Sequence, residues 1–300
     1  RPPPPPRPPR SPPHPPPNRC LDLIDSSTRM AVRVDFARAA QLAPLCSHLQ
    51  GANLSHLDLT RSRFDSLDLS RARLVNSRLH HCTFQQSRLE GASLRGAYAR
   101  DADFTGADLR SADLSLAFLV GAVLDNARLQ GSNFTGAYMR GVSMLGLSRA
   151  ANVSFDGVNL GGASISNSWL TACSFRDANL RGAMLDDVNL KGSVFAGTGF
   201  RYLSLTDSSL DFCDFRGASL ESFEMDRGRI GWADFRRTAA RGAHFKGGVF
   251  MQHIDARGAD FSWVRYFFFC PKLSPAYPHP RTVFDPLLAP FTPIPISGQV

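Results

Sequence analysis

The sequence has no run of about 18 apolar residues, so it holds no segment able to cross a bilayer as a helix. It lacks a basic leader followed by an apolar core, and no secretory signal is visible. The chain starts with Arg rather than Met, which leaves open a fragment from which a leader was removed. No GxxxxGKS/T, GxSxG or HExxH pattern occurs, and no CxxC or Cys/His spacing suits zinc. Acid is absent from residues 1–19, which carry four Arg. The net charge of +8 is therefore unevenly placed, since residues 49–266 hold 25 basic and 22 acidic residues, a net of +3. That mixed charge does not describe a basic nucleic-acid groove, and nucleic acid is not an expected partner.

What the chain does have is a repeat. From about Leu49 to Tyr266 it returns every five residues to one pattern, as in Gly-Ala-Asn-Leu-Ser (51–55), Ala-Asp-Phe-Thr-Gly (102–106), Ala-Asp-Leu-Arg-Ser (107–111) and Ala-Asn-Leu-Arg-Gly (178–182). A large apolar residue sits at the centre, a small one lies two positions before it, and a polar one stands between. Strand side chains alternate, so the small and central residues face inward and the polar one faces out. The next two residues are mostly small or polar, which breaks the alternation and predicts a corner once per repeat. The frequent glycines there (Gly91, Gly96, Gly106, Gly121, Gly131, Gly141) suit such a corner.

Centres fall every five residues from Leu49 to Met144 and again from Phe155 to Phe250. Two steps of 11, Met144 to Phe155 and Phe250 to Phe261, each contain one extra residue and predict a bulge or bend. Gly146 and 149–152 are candidate sites for the first. Phe64, Phe84 and Phe104 recur every 20 residues, as do Phe155, Phe175, Phe195, Phe215 and Phe235. Stacked rings in adjacent layers require a coil of 20 residues, hence four repeats per coil. About 42 repeats then make roughly ten coils at ~4.8 Å per layer.

These pentads resemble the pentapeptide-repeat family, whose motif is Ala-(Asp/Asn)-Leu-x-x. The resemblance implies an all-β fold, a right-handed quadrilateral β-helix with capped ends. The organisation expected is a Pro/Arg-rich arm (1–19), an N-terminal cap (20–48), a first set of repeats (49–144), a register break (145–154), a second set (155–266) and a C-terminal cap with a Pro-rich tail (267–300). In the arm, Pro2-x-x-Pro5-x-Arg7 and Pro5-x-x-Pro8-x-Arg10 have the spacing that SH3-type grooves read, and a plain linker has the same composition. Asp25 to Thr28 can cap a short helix, while Met30, Val32, Val34 and Phe36 alternate like a strand. The closing stretch Trp263, Tyr266, Phe267, Phe268 and Phe269 is either a lid on the last layer or a homodimer surface. In the quinolone-resistance members of the family the C-terminal end mediates dimers. Residues 271–300 are expected to drape over the surface or stay mobile.

A solenoid filled with its own side chains offers catalysis no cavity, so the chain is read as non-enzymatic, without cofactor or metal. His56, His80, His81 and His244 fall on the surface by register. Cys82, Cys173 and Cys213 take small inward positions, and reduced buried thiols suit a cytoplasmic, reducing compartment. Function is expected on the outer faces. Tyr98, Phe118 and Tyr138 share one outward position in three successive layers, with Arg100, Val120 and Arg140 two residues on. Stacked aromatics flanked by Arg have the composition of a protein-binding hot spot. Cross-strand stacking that only stabilises the sheet is the alternative. Arg181, Arg201 and Arg241 form a secondary basic face near Arg176, Arg216 and Arg236. The leading reading is a protein-interaction scaffold with an unidentified protein partner. The family includes type III effectors delivered into host cells, and the Pro/Ser/Arg-rich start fits delivery of that kind. A gyrase-binding DNA mimic of the quinolone-resistance type is the alternative, and the slightly positive rod opposes it.

Overall fold

The computed structural model describes residues 49–266. Polar residues that stand between a small and a central side chain pair with their counterparts one coil later. Asn53 bridges Arg73, Asp58 bridges Arg78, Arg63 bridges Thr83 and Asp68 bridges Arg88, all in parallel. These four begin the four faces, numbered one to four in that order. On the first face the column runs Asn53, Arg73, Ser93, Asp113, Asn133, Ser154, Ser174, Val194, Asp214, Asp234, Asp255. The result is an all-β parallel solenoid with four repeats per coil.

Corners join the faces. The amide of Ala52 donates to the carbonyl of Leu49 at 3.0 Å, closing a four-residue turn whose third residue, Gly51, has φ +68°. That turn needs a left-handed third residue, which Gly accepts without strain. Longer strands form where the bridges continue. They are β1 (Ser143–Leu145), β2 (Ser164–Trp169), β3 (Met184–Asn189), β4 (Ser204–Ser209), β5 (Glu224–Gly231), β6 (His244–Lys246), β7 (Phe250–Gln252) and β8 (Arg265–Tyr266). They make one parallel sheet in the order β1-β2-β3-β4-β5-β6-β8, with β7 paired to β5. Strands β2 to β5 run through the corner between the third and fourth faces.

The first extra residue falls at Ser148–Arg149, between inward Leu147 and inward Ala150. The gap in the ladder is closed by Ser168, whose hydroxyl accepts from the Leu147 amide at 3.0 Å. The second lies earlier than the spacing predicts. Arg229 pairs with Phe250 and Ile230 with Met251, so Met251 is the inward centre and Phe250 is 41% exposed. The pentads thus run in phase to Phe245, and Gly247 and Gly248, both left-handed, absorb the added residue. Phe250 is corrected from a core residue to a surface one.

The interior is a stack of rings and aliphatic side chains. Phe64, Phe84 and Phe104 stack at 4.8 Å in the wall of the third face. Phe134, Phe155, Phe175, Phe195, Phe215 and Phe235 stack at 4.8–5.3 Å in the wall of the first. The added residue at 148–149 is what brings Phe134 into line with Phe155. Each fully buried Leu or Phe contributes about 2 kcal/mol. Several inward polar groups are satisfied by carbonyls, while the Ser62 hydroxyl is buried without a partner. Ser77 donates to Leu74 at 2.7 Å, Thr238 to Phe215 at 2.7 Å, and the Cys82 thiol to Leu59 at 2.9 Å.

Candidate functional site

Because each outward residue sits above its counterpart 20 positions earlier, like side chains line up along the rod. On the second face Tyr98, Phe118 and Tyr138 are consecutive bridge partners. Their rings stack at 5.0 and 5.1 Å with planes within 5° of parallel. They remain 43%, 37% and 51% exposed. A neighbour was missed from the sequence. Leu116 stands at the corner before Phe118, 50% exposed, at φ +59° where coils above and below place Gly96 and Gly136. Across the same coil Val120 is also exposed. The patch is therefore a cross, with Tyr98 and Tyr138 along the rod, Leu116 and Val120 across it, and Phe118 at the centre. Arg100 and Arg140 flank it, both exposed, and Arg100 Nε lies 3.3 Å from Asp101. The signal that could have revealed Leu116 is a bulky residue where the corner prefers Gly or Asn.

The basic face is arranged differently from the expectation. Arg181 and Arg201 both pack over the ring of Tyr202, at 5.8 and 5.1 Å from its centroid. Tyr202, another large residue in a left-handed corner, was not anticipated. Arg241 follows two coils beyond Arg201, beside a cleft of about 310 Å³ lined by Tyr202, Ser204, Ser222, Glu224, Gly242 and His244. Glu224 holds His244 at 3.4 Å and Lys246 at 3.1 Å. On the neighbouring corner Arg216, Arg236, Arg237 and Arg257 line a shallow groove of about 650 Å³.

The outward carboxylates are not paired with each other for acid–base work. Asp214 receives Arg216 at 2.7 Å and Asp234 receives Arg236 at 2.6 Å, while each Arg also approaches the next Asp along the rod at 3.7 Å. The guanidinium hydrogen bonds hold Asp214 and Asp234 below the usual carboxylate range. Such groups stay ionised and cannot shuttle protons near neutrality.

A second aromatic row was also missed. Phe212, Trp232 and His253 occupy consecutive left-handed corners between the fourth and first faces. Phe212 and Trp232 stack at 6.4 Å, Trp232 and His253 at 4.0 Å, and Lys191 caps Phe212 at 5.2 Å. Of the expected terminal lid, Trp263 points outward at 51% exposure and Val264 supplies the inward residue instead. The side chain of Tyr266 and residues Phe267, Phe268 and Phe269 lie outside what the structure describes, as do the arm, the N-terminal cap and the tail. No described helix is long and apolar enough to cross a membrane.

Comparison with known proteins finds the same repeat. The family model for pentapeptide repeats matches in eight copies, with matched stretches covering residues 47–146 and 173–221. Among solved structures, HetL, a pentapeptide repeat protein involved in heterocyst differentiation regulation in the cyanobacterium Nostoc, is 23% identical. It matches over 72% of this chain and 88% of its own, with a TM-score of 0.33. QnrB1, a plasmid-mediated fluoroquinolone resistance protein, is 17% identical over 72% of this chain and 86% of its own, with a TM-score of 0.33. A pentapeptide repeat protein of the Arabidopsis thaliana thylakoid lumen is 32% identical over 40% of this chain and 68% of its own, with a TM-score of 0.14. No curated protein matches the chain. With the repeat in its sequence, the 20-residue coil in its structure and the family model matched along it, the chain belongs to the pentapeptide repeat family.

Proposed function

We propose that this chain is a non-enzymatic protein-binding rod whose main contact is the cross-shaped patch centred on Phe118. One observation carries it: five large apolar side chains, Tyr98, Leu116, Phe118, Val120 and Tyr138, are exposed together at positions where other coils place polar or small residues. Sheet stability alone asks for stacked rings but not for Leu116 at a strained, solvent-facing corner. A protein partner gains from the apolar centre and from the Arg rim, where Arg100 and Arg140 steer and orient. The basic side with Arg181, Arg201 and Arg241 is a secondary contact in this reading, narrowed by the packing of the first two on Tyr202.

A partner captured by the full chain tests it. Phe118→Ala and Tyr138→Ala each weaken binding at least about ten-fold while leaving the melting temperature within a few degrees. Undiminished binding by both variants removes the patch from the function. The finer form of this reading is delivery into a host cell as a type III effector, supported by the Pro/Ser/Arg-rich start, and a translocation reporter fused after residue 48 decides it. Buried free thiols support action in a reducing compartment. DNA mimicry is opposed by the near-balanced charge and by the ion-paired carboxylates.

A further inference from the structure

The row Phe212–Trp232–His253 has no place in the reading above. It lies several coils away from Phe118 and on a different corner. In the same corner column the other coils carry Gly51, Arg71, Gly91, Ser111, Gly131, Asn152, Ala172 and Gly192, all left-handed and none aromatic. Phe212, Trp232 and His253 adopt it at φ +62°, +57° and +52° with bulky side chains, which is unfavourable, and Phe212 and Trp232 are each 53% exposed. Phe250 on the adjoining fourth face adds another exposed ring, next to Arg229 in its column. Stacked on one another, with Lys191 over the first ring, Phe212, Trp232 and His253 form a ridge that presents ring edges with donors alongside. The indole N–H of Trp232, the Lys191 ammonium and the remaining N–H groups of the Arg229 guanidinium, which lies 3.2 Å from Asp211, can meet carbonyl oxygens.

A row of exposed aromatic rings with interspersed donors suits a polyproline II segment. Such a segment offers flat pyrrolidine rings and carbonyls free of internal hydrogen bonds, and it is already extended before it binds. A stretch of fitting composition follows the last described coil in the sequence. Residues 271–295 hold Pro271, Pro275, Pro278, Pro280, Pro286, Pro290, Pro293 and Pro295, interspersed with apolar residues and only three charges. The described chain ends at Tyr266 on the third face, where β8 pairs with β6. The fourth face, which carries Phe250, adjoins it, and the aromatic corner lies beyond. Pro271 lies five residue steps from Tyr266, a reach of up to ~17 Å. The ridge spans three layers, about 10 Å between its ends. Twenty-five residues at ~3.1 Å each exceed that several-fold.

We propose that the Phe212–Trp232–His253 ridge is the docking surface for the proline-rich stretch 271–295 of the same chain. Docking covers the exposed rings and gives the stretch a fixed place beside the last coils. It also explains why bulky aromatics stand at corners that Gly and Asn suit better.

The full-length chain with Trp232→p-benzoylphenylalanine, irradiated and digested, tests the contact by mass spectrometry. Cross-links from position 232 to residues 271–295, in monomer-mass protein and with a yield independent of concentration, are expected. Cross-links confined to dimer-mass protein, or none reaching that stretch, overturn the proposal. A second measurement leaves Trp232 intact as the sole indole, by Trp169→Phe and Trp263→Phe. Acrylamide quenching of its fluorescence is expected to rise about two-fold when Pro275→Ser, Pro278→Ser and Pro280→Ser are added. Quenching that does not change overturns docking through those prolines.

Discussion

Cys82, Cys173 and Cys213 show how one position in a five-residue repeat sets a side chain's chemistry. Each replaces the small inward residue, and each thiol points at a backbone carbonyl of the preceding coil, at 2.9, 3.0 and 3.1 Å. Burial removes the water that a thiolate needs and pushes all three thiols up to about 12. They are core hydrophobes with a weak donor and poor nucleophiles. In a chain where Cys20, Cys46 and Cys270 are changed to Ser, Ellman's reagent should find no reactive thiol in the native protein. All three should react once denaturant is added. Rapid native reaction at any of them contradicts the inward placement.

Gly247 and Gly248 form an element of their own, a two-glycine hinge that takes up one residue and keeps the ladders aligned. Gly247 sits at φ +60°, and a Cβ there would meet the Asp226 carboxylate oxygen at 2.0 Å. Gly242 has a similar backbone, φ +68°, with open space around it. Gly242→Ala should therefore cost only the left-handed penalty, about 1–2 kcal/mol, and Gly247→Ala distinctly more. Chemical denaturation of the two variants compares them directly. Equal losses would mean that Asp226 swings aside without cost.

For the whole molecule, the coil is the unit of stability, because each layer contacts mainly the layers above and below. Deleting residues 94–113 removes one coil and joins Ser93 to Leu114 with every face in register. That chain is expected to fold, with native-like circular dichroism and cooperative melting. Deleting residues 94–111 leaves two residues too many in one pentad and turns inward positions outward along the rod. It should lose the cooperative transition. Comparable melting of both would show that neighbouring coils do not constrain one another's phase.

The sequence by itself determined the repeat, the inward and outward faces, the four-repeat coil and the stacking of Tyr98 on Phe118 and Tyr138. These follow because a period of five and a recurrence of 20 leave the backbone one way to bury its apolar positions. Only the tertiary structure decided where the second added residue goes. Val249, Phe250 and Met251 are all apolar, so hydrophobicity alone cannot choose the inward one. The left-handed freedom of Gly247 and Gly248 and the pairing of Ile230 with Met251 settle it. The same holds for Leu116, Tyr202, Phe212 and Trp232. The five-residue pattern reserves their corners for small or polar residues. What these large side chains touch depends on coils 20 residues away.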